Sequence, residues 1–522
     1  MKKLFTFLFL ALCSSLLGAT YTAASCNQAD VQTAIANELA SAADGDIISI
    51  PSGSCSWSGS TMTASFTHSV TIQGAGAISA TAGGVSTTGS DLTSITNNIG
   101  QMMQFATTSG KSFRFTGIAI LATANAANGM VEISGTSVAV RVDHCHFYVN
   151  SVGLRLDGSV LGVADHNYFS NDASSLDNDI AFHNGAGWNG SSESGNAIGD
   201  HSWADTDHWG TSEFFFVEDN QFSNGDIGDA HDGARYVLRY NTMLETSFGS
   251  AGQMYNHGLT NARGRATRAA EVYMNTFTQP GATGQNNPVY ALNSGTLLFW
   301  GNTITQYREA ISIDYTRKDN GTYSYGTPPS GWGNCGTAFG PTNWDQNTNS
   351  YGYACLDAAA RGAGDLLSGD FPTVCDRTQG CSTYTGQWPR QALDPVYLWD
   401  NTFTPAGGYS PTPLISVGTA MYVDNQDYYQ QFGTYGESGT FNGTKGVGQG
   451  LYSAIPSTCT AGPGGNTPGV GYWATDTNTL YVCNPTNTWA AYYTPYTYPN
   501  PLTQGTGTTL PGPPPNVVTA VH

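Results

Sequence analysis

Charge is scarce in this 522-residue chain. Only 11% of its residues are charged, and 18 Lys and Arg face 38 Asp and Glu. A net charge of −20 and a pI near 4.6 argue against general binding to nucleic acid or to an anionic membrane. Beyond the N-terminus no apolar run is long enough to span a bilayer. Segments with the apolar period of an amphipathic helix are few. No CxxC pair is matched by a second, so the zinc-ribbon pattern is missing. What is plentiful is Gly, at 64 residues, together with Ser, Thr and Asn, the composition of short strands joined by tight turns.

The N-terminus reads as an export signal. Met1, Lys2 and Lys3 form a basic start, Leu4 to Leu17 is apolar, and small residues follow from Ala19 to Ala24. Residues 1–24 are therefore expected to be a leader, with the mature chain starting between Ala19 and Cys26 and located outside the cytoplasm. Cysteine usage agrees, because Cys26, Cys55, Cys335, Cys355, Cys375, Cys381, Cys459 and Cys483 lie in loop-rich stretches. Proximity alone pairs them as Cys26–Cys55, Cys335–Cys355, Cys375–Cys381 and Cys459–Cys483. Cys145 is left as a buried thiol.

One motif keeps returning: an Asn, a small or polar residue, then a large apolar one. It occurs at Asn167-Tyr168-Phe169, Asn220-Gln221-Phe222, Asn241-Thr242-Met243, Asn275-Thr276-Phe277, Asn302-Thr303-Ile304 and Asn401-Thr402-Phe403, with Cys145-His146-Phe147 as an earlier copy. Most copies follow a short apolar run such as Phe214–Val217 or Leu297–Phe299. A strand, a turn at Asn and another strand make one rung of a parallel β-helix. Asn tolerates the left-handed conformation of such a turn, and stacked Asn side chains can bond one another.

The expected fold is therefore all-β, a single parallel β-helix over residues 25–500, right-handed as the resemblance given below implies, with a short N-terminal capping helix and long loop insertions. The helix is expected near Asp30 to Ala43, with Val31, Ile35, Leu39 and Ala42 facing inward and Asn27 or Asp30 as cap. Residues 315–392, which hold four Cys and no rung motif, read as a loop insertion. The Tyr- and Trp-rich stretch from Thr488 to Tyr498 reads as a C-terminal cap, and residues 501–522 as a flexible Gly-, Thr- and Pro-rich tail.

The segment from Ala36 to Gly76 contains Gly45-Asp46-Ile47-Ile48-Ser49-Ile50-Pro51, then Trp57, then Val70-Thr71-Ile72-Gln73-Gly74-Ala75-Gly76. It resembles the opening of the pectate-lyase-like right-handed β-helix superfamily. The stretch Glu213 to Phe277, with Asp232-Gly233, Arg235-Tyr236-Val237, His257-Gly258 and Arg263-Gly264-Arg265, is similar to secreted bacterial β-helix proteins, as are Asp394–Phe403 and Tyr472–Asp476. The resemblance covers most of the mature chain. It implies the fold and a polysaccharide partner, and leaves lyases, hydrolases, esterases and non-catalytic spikes open.

The residues able to do chemistry cluster between His183 and Arg268, where loops of successive rungs would stack into one groove. β-Elimination from a uronate needs a cation against the carboxylate, a base for the C5 proton and a proton route to the leaving oxygen. Asp226, Asp229 and Asp232 could ligate Ca²⁺. His257, Arg263 and Arg265 are the candidate catalytic residues, and Arg235, Arg268, Trp203 and Trp209 the candidate substrate-binding ones. In the plainer reading the Asp residues shape turns and Arg235, Arg239 and Arg268 make structural ion pairs, Arg239 most of all. Polygalacturonase-like hydrolases have a comparable order of Asp pair, His-Gly and basic motif, so a glycoside hydrolase is the second enzymatic reading, and a non-catalytic carbohydrate-binding or surface protein the third. An acidic glycan is the favoured partner, and a monomer is expected. His144, His146, His166 and His183 sit in or beside rungs and read as packed or stacked side chains.

Overall fold

The computed structural model describes residues 18–171, 178–185, 206–245, 254–258, 266–279, 288–313, 348–349, 352–353, 357–362, 392–410, 414–417, 422–434 and 437–504. They build a parallel β-helix. The first sheet has 12 strands, from Thr20–Thr22 to Tyr428–Tyr429; the second has 10, from Gly53–Trp57 to Thr402–Thr404; the third has 10, from Met62–Ser65 to Ile415–Val417. The chain visits the three sheets in that order in each rung, and every pair of neighbours within them is parallel.

The interior is made of identical positions stacked rung on rung. In the second sheet Phe147, Phe169 and Phe222 lie ring over ring with centroids 5.0 Å apart, the spacing of paired strands. In the first sheet Phe115, Val142, Ala164, Val217, Leu238, Val272 and Phe299 form a buried inner row.

The Asn motif marks the turn from the first sheet to the second. All six Asn point inward and are joined in one chain of bonds: each Nδ2 donates about 3 Å to Oδ1 of the next, from Asn167 through Asn220, Asn241, Asn275 and Asn302 to Asn401. The left-handed backbone is carried by the preceding residue, as at His166 (φ 55°), Asp219 (φ 58°), Tyr240 (φ 54°), Met274 (φ 57°) and Asp400 (φ 57°). The Asn is thus selected for its amide, and its tolerance of positive φ is not used. Cys145 fills the first place in the row as a buried free thiol.

The cap helix runs Gln28–Leu39 with Asn27 at its N-cap position, although the Asn27 side chain makes no capping bond. Its inward stripe is Val31, Ala34, Ile35 and Glu38; Leu39 and Ala42, expected inside, are exposed. A stripe begun at 31 and 35 returns to the core at 38, and the helix ends before 42 can turn inward. Glu38 faces His68 there. Trp57 is buried and its Nε1 donates to the Cys26 carbonyl at 2.9 Å. Cys26–Cys55 and Cys459–Cys483 are disulfides; Cys335, Cys355, Cys375 and Cys381 lie outside the described residues. Strand Thr20–Thr22 belongs to the first sheet and Ala19 N donates to Asp46, so residues from Ala19 onward are part of the fold.

Three expectations are corrected. The Tyr-rich C-terminal stretch does not close the end of the solenoid. With strands Val447–Gly450, Gly471–Ala474 and Thr479–Cys483, strand Trp489–Tyr493 forms a four-stranded sheet laid across the outer face of the first sheet. That face carries Phe216, Tyr273, Trp300, Tyr397 and Trp399, an apolar surface that must be covered. The chain then runs back toward earlier rungs, where Pro501–Gln504 forms a helical turn against Arg141, so the expected tail is structured over its first four residues. Residues 357–362, within the expected insertion, return to the solenoid: Ala358, Ala359 and Ala360 are in the core and Arg361 pairs with Asp427 at 3.1 Å.

The C-terminal layer buries a carboxyl among apolar groups. Glu271 faces out from the first sheet, accepts bonds from Gly210 N (2.8 Å) and Tyr493 O–H (3.0 Å), and burial pushes its pKa up to about 7. A carboxyl raised in the fold lends stability that is complete below its unfolded pKa of 4.5 and lost as pH rises through about 7. Glu271→Gln should therefore match the parent near pH 4.5 and exceed it by about 3 kcal/mol at pH 8. Urea denaturation at the two pH values checks this; an equal difference at both would mean that the carboxyl ionises freely.

Candidate functional site

The corner where the third sheet passes to the first gathers the titratable groups. Strand Asp226–Ala230 ends the third sheet's turn in one rung and Met254–Asn256 in the next. Strand alternation sends Asp229 and His231 out the same way. The register pairs Ala230 with Asn256, so His231 and His257 fall one above the other. His183 adds a third ring from the previous rung. The centroids are 4.7 Å apart for His183–His231 and 4.6 Å for His231–His257.

Asp229 lies between two of these imidazoles. Its Oδ2 is 3.0 Å from His231 Nε2, and its Oδ1 bonds His257 Nδ1. Burial opposes its ionisation, but the two rings overcome it and hold the carboxyl well below the usual carboxylate range. Burial likewise depresses His231 against the pull of Asp229. Both shifts make the corner acid-labile, since each group must take up a proton that the fold resists. His257 is the most open of the three, with 17% of its side chain exposed against 3% for His231. Tyr255 stands beside it on the outward face, ring centroids 6.1 Å apart.

The three expected metal carboxylates do not converge. Asp229 serves the two imidazoles. Asp232, with left-handed backbone (φ 52°), lies past the strand end and pairs with His183 at 3.0 Å. Asp226 opens the strand, an odd spacing from Asp229 that a pleated strand sends to the other face. Among the described residues the group able to surround an ion here is Asp229, His231 and His257.

The arginines divide. Arg235 lines a cleft with Asn184, Glu213, Leu161 and Val138 at the same corner. Arg268 is buried and paired with Asp207 and Asp394. Burial, with Asp207 beside it, pushes Asp394 well above the carboxylate range, and Tyr492 O–H donates to it at 2.8 Å. Arg268 is therefore committed to holding the C-terminal layer, as the plainer reading had it. Trp209, expected as a sugar platform, stacks on Phe214 and its Nε1 donates to Tyr492 O–H at 3.2 Å, within that same layer. Arg263, Arg265 and Trp203 lie outside the described residues. His144 stacks on His166 and His146 on Tyr168, as packed histidines should.

The residue that sequence reasoning passed over is His231. Its signal was the alternation Asp229-Ala230-His231, which puts acid and imidazole on one face of any strand. No protein-family model matches this chain, and no curated protein or solved structure is similar enough to match it.

Proposed function

We propose that this is an exported protein that acts on a carboxylated polysaccharide and cleaves it by β-elimination, in the manner of the pectate-lyase-like superfamily its sequence resembles. The observation that carries the reading is the Asp229–His257 pair: a buried carboxylate bonded to Nδ1 of an imidazole whose ring reaches the outward face of the third sheet. A carboxylate at Nδ1 fixes the tautomer and leaves Nε2 as the proton acceptor. His257 is then the base for the C5 proton, and Asp229 the residue that positions it and stabilises the imidazolium. Arg263 and Arg265, next in the chain, supply charge against the uronate carboxylate, for which a guanidinium is a bidentate partner. Arg235, which lines the cleft, is the proposed contact to a neighbouring sugar. The two disulfides and the basic-apolar N-terminus support export. A monomer is the expected state.

The test is a screen of the purified protein against pectate, alginate, glucuronan and glycosaminoglycans, read as ultraviolet absorbance of the unsaturated product. A rise that falls by about 10²–10⁴ in His257→Ala, and falls with Arg265→Ala, is the expected result. New reducing ends without absorbance would assign hydrolysis instead, and glycan binding without turnover a binding protein.

A further inference from the structure

Calcium, the ion expected on Asp226, Asp229 and Asp232, does not fit this corner. It takes about six to eight oxygen ligands. Here one carboxylate is flanked by two nitrogen donors, and the other two carboxylates are directed elsewhere. Two imidazoles and one carboxylate are instead the donor set of a first-row transition metal or zinc.

The rung geometry brings these donors together. Asp229 and His231 share a face of one strand, His257 comes from the rung above, and the ligand atoms of the three all lie within 4.8 Å of one another. Donors about 2.0–2.2 Å from a single ion have that mutual reach. The side chains of Asp229 and His231 are 8% and 3% exposed, so two ligands are fixed in the wall, and the open side is the edge where His257 meets solvent. His183 packs at a tilt against the far side of His231 and limits its rotation.

We propose that Asp229, His231 and His257 form a transition-metal site, with Asp229 Oδ, His231 Nε2 and His257 Nδ1 as ligands and an open position toward solvent. Zn²⁺ is the probe ion. Binding displaces the hydrogen bonds that now join the carboxylate to the two rings. It also changes what His257 can do. With Nδ1 on the ion, the proton of the neutral ring sits on Nε2, which donates and no longer accepts. The loaded protein is then unable to use His257 as a base; this last consequence alone rests on the lyase reading.

The experiment titrates the metal-free full-length protein with Zn²⁺, and separately with Ca²⁺, by calorimetry at pH 7.5, with bound metal counted by elemental analysis. The expected result is a single Zn²⁺ per chain, no comparable Ca²⁺ binding, and at least about a 100-fold loss of Zn²⁺ affinity in His231→Gln and Asp229→Asn. Circular dichroism on each variant establishes that it is folded. His257→Gln keeps the buried pair intact and should show the same loss if folding of the other two is in question. Zn²⁺ affinity unchanged in these variants would overturn the assignment. It would place the ion elsewhere, for instance at Glu38, Asp46 and His68, the other such group among the described residues, which is sealed in the N-terminal cap. Absence of Zn²⁺ binding, or Ca²⁺ binding more tightly, would overturn it as well. None of these readings depends on glycan turnover. If Zn²⁺ binds as expected and no glycan is cleaved without metal, the lyase reading fails and the metal site stands.

Discussion

Arg239→Met is expected to cost about 3–5 kcal/mol of folding stability, the usual result of removing one partner from a buried ion pair. Arg239 and Glu218 are both fully buried under the C-terminal segment. The guanidinium bonds Glu218 at 2.6 Å and 2.7 Å, Tyr273 O–H at 2.9 Å, and the carbonyls of Tyr496 (2.8 Å) and Thr497 (2.9 Å). It also lies 4.7 Å from the centre of the Phe216 ring. Met can fill the space but leaves Glu218 Oε2 without its cation, Oε1 keeping only the Asn500 N–H at 2.7 Å, and two carbonyls unpaired in a dry site. Burial already raises the pKa of Glu218 against the pull of Arg239, so without the cation the carboxyl is raised further. A raised carboxyl loses stability as pH climbs through its folded pKa, so the deficit of Arg239→Met should be largest at pH 8 and shrink toward pH 5. Urea denaturation at both pH values measures it. The double variant Glu218→Gln/Arg239→Met should recover at least half of the loss. A single variant within about 1 kcal/mol of the parent would mean that the pair is not holding the return segment.

The position of that segment was the part of the fold least legible in the sequence. The rungs were legible because one residue type repeats at one structural position: an inward amide with an apolar residue two places on. Asn167, Asn220 and Asn241 announce themselves whatever the loops between them contain. The outer face of the first sheet does not repeat in this way. Its row Asp165, Glu218, Arg239, Tyr273, Trp300 and Trp399 changes from charge to aromatic along the solenoid. The signal that existed was the continuous apolar run, Phe214–Val217 and Val396–Trp399, which marks a strand covered on both faces. It does not say by what.

The site was legible in its parts. Asp229 and His257 stood out as acid and imidazole, and both are at the same corner. Their union depends on register, which places His257 over His231 across one rung, and no spacing in the chain reveals that. Arg268 and Trp209 drew a functional reading as a scarce cation and a loop aromatic. In a protein with so few cations, Arg239 and Arg268 are used to fasten one layer to another, and Trp209 packs under the same layer.

The Asn row predicts a gradient of mutational cost along the solenoid. In its middle, Asn220 Nδ2 donates to Ala164 O (2.9 Å), Glu218 O (3.0 Å) and Asn241 Oδ1 (3.1 Å), while its Oδ1 accepts from the Asn167 amide and side chain. Every one of these partners is out of reach of water. Asn220→Ala leaves at least two buried carbonyls and one buried N–H unpaired, at about 1–3 kcal/mol each, so a loss of at least about 3 kcal/mol is expected. Asn401, last in the row and half-buried, makes similar bonds to Phe299 O and Trp399 O. Only the Asn401 side chain itself is open to water, which can take over part of what the amide does, so Asn401→Ala should cost less than Asn220→Ala, about 1–2 kcal/mol. At the other end, Cys145 Sγ lies 3.3 Å from Asp143 O and 3.8 Å from Phe115 O, the positions where a carboxamide would donate. Cys145→Asn extends the row by one member toward Asn167 Oδ1 and should stay within about 1 kcal/mol of the parent, despite placing an amide where a thiol was buried. Denaturation midpoints of the three variants decide the matter. Equal losses at Asn220 and Asn401, with a collapse at Cys145→Asn, would show that shape filling and not amide bonding holds the turns in register.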